Sequence, residues 1–226
     1  MESEHKKALK ELLKKYGVAY DPAVESVPLQ SWRSNRRFVE LFKLVDNNTI
    51  ENVCLLRFSH MTDSKTPLES TLYREFDLCE YIGHGKVRSL HAVFTGASTG
   101  NVIVTLDNGV LASVEVGNLL PDGRQDLERH EIVARRGVAN DLPMDVQIPL
   151  QSIYAYTADG DAVYRDVDFE LYGFPEEEIA QIRAEFDFCR NTSSGGELVE
   201  RHNHLKALVA AAFESNNKKQ KLEVLK

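Results

Sequence analysis

The sequence predicts an α+β protein: a large, mostly antiparallel β-sheet with helices packed on one face, preceded by a short helix and strand. Three observations predict it. Apolar residues recur at helical spacing near both ends and in the first third of the chain, while β-rich runs fill residues 86 to 169. Turn signals such as Asp107-Asn108-Gly109 join neighbouring runs directly, which suits antiparallel pairing. With 226 residues, 42% of them hydrophobic, the chain can bury one large core and is too short for two full domains.

Ser3 to Tyr16 reads as an amphipathic helix, with Ala8, Leu9, Leu12, Leu13 and Tyr16 on one stripe, lysines on the other, and Gly17 at the C-terminal cap. Val18 to Pro28 reads as a short strand and an extended connector, with a boundary near residue 28. A second helix is expected from about Asn35 to Val45, then a buried strand over Ile50 to Phe58, then a helix from Glu69 to Tyr81 ending before Gly83-His84-Gly85. Strands follow at Lys86 to Phe94, Asn101 to Leu106, Val110 to Val116, Glu131 to Ala134, Asp145 to Ile148, Ser152 to Thr157 and Ala162 to Phe169. Pro175 opens another helix with Glu176, Glu177 and Glu178 in its first turn, where carboxylates suit the helix dipole. After a polar loop, Asn191 to Gly196, the last helix runs from about Leu198 to Asn216.

Charge narrows the partners. A formal net charge of -8 disfavours nucleic acid and acidic membranes, which need a basic field. No stretch approaches the roughly 20 apolar residues that span a bilayer, and the start has no apolar leader, so a cytoplasmic protein is expected. Cys54, Cys79 and Cys189 are far apart, which indicates neither a disulfide framework nor a zinc site.

The chemistry-bearing motifs are incomplete. Gly96-Ala97-Ser98-Thr99-Gly100 matches the G-x-S-x-G of a hydrolase nucleophile, but β-branched residues 101 to 106 follow it where a helix is required. The same residues fail as a dehydrogenase phosphate loop for the same reason. Gly83-x-Gly85 lacks the third glycine of a dinucleotide fingerprint and precedes a strand. His202 and His204, two apart on a helix, point in different directions and cannot chelate one metal together. Asp166 and Asp168 alternate along a strand, a pattern an acidic chain produces by chance.

In their order along the chain, several segments resemble the C-terminal domain of the glucose-fructose oxidoreductase and inositol 2-dehydrogenase (Gfo/Idh/MocA) family. They are Ser3 to Tyr20; Trp32-Arg33-Ser34-Asn35-Arg36-Arg37-Phe38; Asn47 to Val53; Leu72-Tyr73-Arg74-Glu75-Phe76-Asp77-Leu78; the hairpin of Asn101 to Val116; and Glu200 to Ser215. The resemblance implies that residues 1–28 are the remnant of the end of a Rossmann domain and that 29–226 form the family's sheet domain. It also implies that the Glu-Lys-Pro lysine and the NAD(P)-binding unit, which precede these segments in the family, are missing from this sequence. In the family's H-x-x-D helix, Asp77 matches the aspartate and Arg74 replaces the histidine. A guanidinium stays protonated at neutral pH and cannot shuttle the proton.

The resemblance therefore implies no catalytic residue and no cofactor bound by this chain alone, with Arg33, Arg74 and Asp77 as substrate-side candidates. NAD or NADP enters only if another chain supplies a Rossmann domain. Expected partners are a second copy through the sheet face and, alternatively, that Rossmann chain in a split sugar or polyol dehydrogenase. The apolar stripe of residues 9 to 16 needs a cover: such a partner, the chain's own sheet, or a second copy.

Overall fold

A computed structural model describes residues 3–141, 152–157, 160–165 and 173–225. The expected strand over Asp145 to Ile148 and the Asp166 and Asp168 pair lie outside them. The chain forms two compact units, residues 1–39 with 166–204, and residues 40–165 with 205–226. Neither unit begins or ends at residue 28.

The first unit is helical in its described residues. Helix α1 (Glu4–Tyr16) opens on Ser3, whose hydroxyl accepts from the Lys6 N–H, and closes on Gly17 at φ 65°. No strand follows, contrary to the expectation for residues 18 to 20. The Val18 N–H is used in the helix cap, donating to the Leu13 carbonyl at 2.9 Å, and the Asp21 carboxylate caps a 3-10 turn over Pro22–Glu25. A second 3-10 turn covers Ser31–Ser34, and α2 (Arg36–Asp46) starts next. Helix α4 (Glu176–Arg190) completes the packing: Leu9 and Leu13 of α1 are buried with Val24, Ile182, Phe188 and Cys189. Leu9 and Leu13 of the stripe are thus covered inside the unit, by a helix rather than a sheet, while Tyr16 stays exposed.

The second unit holds the sheet. Its strands are β1 (Val53–Asp63), β2 (Val87–Thr95), β3 (Thr99–Leu106), β4 (Leu111–Leu120), β5 (Leu127–Ala134), β6 (Gly137–Asn140), β7 (Ser152–Thr157), β8 (Gly160–Arg165) and β9 (Leu222–Glu223). Their order is β8-β7-β6-β5-β1-β4-β3-β2-β9. The β1–β4 pair is parallel and every other described pair is antiparallel, as predicted. Gly109, at φ 90°, closes the predicted β3–β4 turn.

Helix α3 (Leu68–Gly83) lies over β1, β3 and β4 and buries Leu72, Phe76, Cys79 and Ile82. Alternation along the strands supplies the other half of this core: Leu56 and Phe58 from β1, Ala112, Val114 and Val116 from β4, Val102 and Val104 from β3. Gly83 lets the end of α3 approach the sheet, since a Cβ there would stand 2.5 Å from Leu106 Cδ1. His84 then takes the left-handed cap at φ 53°. The Gly83-His84-Gly85 stretch is therefore a helix end. On the opposite face of the sheet Val93, Ile103 and Leu111 are exposed.

Helix α5 (Gly195–Lys218) begins earlier than expected, directly after a 3-10 turn over Thr192–Ser194. Its last turns border β2. Strand β9 pairs with Ser89 and Leu90, and beyond it side chains take over: Ser215 Oγ accepts from the Ala92 N–H at 3.0 Å and Asn216 Oδ1 from the Phe94 N–H at 2.8 Å.

Candidate functional site

The core face of the sheet changes character where β5 meets β1. Alternation puts His60 and Thr62 on the same side as Leu56 and Phe58, and Glu128 and His130 on the same side as Ile132. In the antiparallel ladder His60 faces Glu128 and Phe58 faces His130. Helix α3 lays Glu75 over these residues, four positions after Thr71 and therefore on the same helical face. Asp141, just past β6, folds back onto His130.

The result is a continuous array of acids and imidazoles. Glu75 bridges two histidines: Oε1 lies 3.0 Å from His60 Nδ1 and Oε2 lies 3.1 Å from His130 Nε2. His130 Nδ1 is 2.6 Å from Asp141 Oδ2, and the His130 backbone N–H donates to Asp141 Oδ1 at 2.6 Å. At the other end His60 Nε2 is 2.9 Å from Asp126 Oδ2 and 3.5 Å from Glu128 Oε1. The array runs from Asp126, whose side chain is 39% exposed, to Glu75, His130 and Asp141 at 0%. The Phe58 ring stands edge-on to His130, 4.9 Å between centroids, and walls the buried end with hydrocarbon. The Thr71 hydroxyl is buried without a hydrogen-bond partner among the described residues.

Burial penalises every charge in this array, yet the charges support one another. Burial works against the His130 imidazolium, but Asp141 and Glu75 outweigh it and raise its pKa to about 9. Burial likewise works against the Glu75 carboxylate, but His130 and then His60 hold its pKa well below the ordinary carboxylate range. For His60 burial opposes protonation and Arg74 adds to the opposition; Glu75, helped by Glu128, raises its pKa nevertheless. Such a chain of alternating acids and bases can hold fixed charge beneath a ligand or pass a proton inward from Asp126 through His60 to Glu75.

Of the residues singled out in the sequence, Arg74 joins this array. Its guanidinium forms a bidentate pair with Glu128, Nη1 donating to Oε1 at 2.7 Å and Nη2 to Oε2 at 2.8 Å, and its Nε is 3.9 Å from Glu75 Oε1. Asp77, three residues further along α3, is fully buried. Arg33 belongs to the first unit, where it lines a groove with Arg190 and Arg201. Ser98 sits in the tight turn between β2 and β3, and the strand after it excludes a nucleophile elbow.

His60, Glu75, Asp126, Glu128, His130 and Asp141 escaped the sequence reading. The available signal was two-residue alternation: His60 follows Phe58, and Glu128 and His130 precede Ile132, each pair on one face. Among the described residues, His60, Asp126 and Glu128 are the one group whose ligand atoms lie close enough together, within 4.8 Å of one another, to hold a metal ion. No helix among the described residues is long and apolar enough to cross a membrane.

No protein-family model and no curated relative matches this chain. Solved structures do. An oxidoreductase from Agrobacterium radiobacter in complex with NAD+, L-tartaric acid and magnesium superposes with a TM-score of 0.67 at 13% identity, over 86% of this chain and 63% of the other. Levoglucosan dehydrogenase in complex with NADH and levoglucosan gives a TM-score of 0.67 at 15% identity, over 86% of this chain and 65% of the enzyme. The chain thus spans less than two thirds of these proteins. At such identities the likeness is one of fold, and the fold is the one expected from the resemblance to Gfo/Idh/MocA oxidoreductases.

Proposed function

We propose that this chain is the substrate-side and assembly module of a Gfo/Idh/MocA-like protein, a binding module that does not carry out redox chemistry alone. The observation that carries the reading is the Arg74–Glu128 pair. Where the resemblance places the acid/base histidine there is a permanently charged guanidinium, fixed by two charge-assisted hydrogen bonds. It can hold a carboxylate or an oxyanion in place, but it cannot give up a proton. The Thr71 hydroxyl of α3, buried with no hydrogen-bond partner among the described residues, adds a polar group suited to a hydroxylated ligand. Arg33 and Asp77 remain further substrate-side candidates, the setting is cytoplasmic, and a second copy covers the open sheet face around Val93, Ile103 and Leu111.

A second reading is favoured by His60. Its imidazole lies between the solvent-reaching Asp126 and the buried Glu75, so a proton carrier stands beside the Arg74–Glu128 pair, 3.5 Å from Glu128 Oε1. In a split NAD(P)-dependent sugar or polyol dehydrogenase, with the Rossmann domain on another chain, His60 would take the lost histidine's part.

Calorimetry with NAD(H) and NADP(H) separates the readings. The isolated chain is expected to bind neither; tight binding by it alone overturns both. Binding and turnover that appear only with a Rossmann-type partner, and fall in His60→Gln, support the second reading over the first. Light scattering is expected to find a dimer, and a monomer at micromolar concentration removes that element of the proposal.

A further inference from the structure

We propose that the solvent end of the array is a divalent transition-metal site, with His60 Nε2, Asp126 Oδ2 and Glu128 Oε1 as ligands and Zn2+ as the ion best suited to it. The inference uses only local geometry and does not need the first reading above; a metal on His60 Nε2 would exclude the second, in which that nitrogen carries a proton.

The backbone sets the ligands together. His60 and Glu128 are directly opposed across β1 and β5, and Asp126, the residue before β5, reaches the same imidazole. The separations are 2.9 Å from His60 Nε2 to Asp126 Oδ2 and 3.5 Å to Glu128 Oε1. With metal–ligand bonds of about 2.1 Å these correspond to ligand–metal–ligand angles of about 90° and 110°, within the range a zinc centre adopts. One imidazole and two carboxylates leave at least one position open toward the exposed side of Asp126, where water or an oxygen of a hydroxylated ligand can enter.

The outer contacts suit this role. Glu75 holds Nδ1 of His60 at 3.0 Å, which keeps the proton on that nitrogen and turns the Nε2 lone pair toward the two carboxylates, the carboxylate–histidine–metal pattern. Arg74 grips both oxygens of Glu128 and fixes the carboxylate's plane, while the second lone pair of Oε1 remains for the ion. The competing occupant of Nε2 is a proton, with His60 as an imidazolium between three carboxylates.

Zn2+ titrated calorimetrically into the chelator-stripped full chain at pH 7.5 decides between them. One ion per chain is expected, with affinity reduced about tenfold or more in Asp126→Asn. Asp126 lies just before β5 with its side chain 39% exposed, and its loss takes one carboxylate from His60, so this variant should still fold but melt somewhat below the wild type without metal. Asp122→Asn, which alters an exposed carboxylate of the same turn paired to Lys65, should bind like the wild type. Asp126→Glu should recover part of the loss, and imidazole 15N shifts should report metal on His60 Nε2. No binding at millimolar Zn2+, several ions per chain, equal affinity in Asp126→Asn, or the same loss in Asp122→Asn would each overturn the proposal.

Discussion

One face of one sheet is lined in two chemistries. Under β2, β3 and β4 it presents Leu90, Val102, Val104, Ala112 and Val114, hydrocarbon against the hydrocarbon of α3. Across β1, toward β5, it presents His60, Glu128 and His130 against Glu75. Both halves are buried, but they are stable for different reasons. In the apolar half each side chain contributes nearly on its own, through area removed from water. In the charged half no residue is favourable alone, since each ion must be dehydrated and is tolerable only with its partners in place. Sensitivity to single changes is therefore concentrated in one half and spread out in the other.

Four measurements test that contrast, from the largest effect to the smallest. Glu75→Ala leaves two buried histidines facing each other without the carboxylate that bridges them. The expected loss in a denaturant titration is about 3–5 kcal/mol, and a loss under about 1 kcal/mol would mean the array is not coupled. Stability should also depend on pH in a way the apolar half cannot produce. The His130 contribution is complete below about pH 6.5, its unperturbed value, and disappears as the pH rises through about 9, on the order of 3 kcal/mol in all. The Glu75 contribution has the opposite sign: it is complete above about pH 4.5 and is lost toward acid. Chemical denaturation midpoints should thus peak between about pH 4.5 and 6.5 and decline toward pH 9; a flat profile would refute the buried imidazolium.

The smaller effects belong to single contacts. Ile132→Val removes one methyl group from the apolar lining beside His130, and about 0.5–1.5 kcal/mol is expected from thermal or urea unfolding. Lys65→Ala breaks an exposed ion pair with Asp122 at 3.1 Å and should change stability by less than about 0.5 kcal/mol. A cost near that of Glu75→Ala would erase the distinction between buried and exposed charge on which the comparison rests.

The same contrast explains what could be read from the sequence. Helices α1 and α4 and the β3–β4 hairpin were legible because their signals are local: Leu9 and Leu13 at helical spacing before Gly17, three glutamates after Pro175, and Asn108-Gly109 at a turn. Strand β1 was expected to end at Phe58 and continues to Asp63; β5 was expected to begin at Glu131 and begins at Leu127. Both missing pieces are the stretches that carry the site. Ser59-His60-Met61-Thr62 and Leu127-Glu128-Arg129-His130 break the apolar alternation by which a buried strand is recognised, because their inward positions hold ionisable or hydroxylated side chains. The array thus concealed the strands that support it. Arg74 was found through resemblance, whereas its partner Glu128, 54 residues later, could be found only once β5 and α3 had been placed together. Strands β6 and β9, four and two residues long, are too short for any periodic signal and depend on neighbours for their pairing.

The joint between α5 and β2 bears on how the protein behaves when damaged. A sheet that stopped at β2 would offer open amide groups at Ala92 and Phe94 beside the exposed Val93, a template onto which another chain could add a strand. The Ser215 hydroxyl, the Asn216 amide and the two residues of β9 occupy that template. Proteolytic loss of residues 215–225 would therefore turn a closed margin into an adhesive one. Strand addition by another chain is the hazard that this short segment holds off.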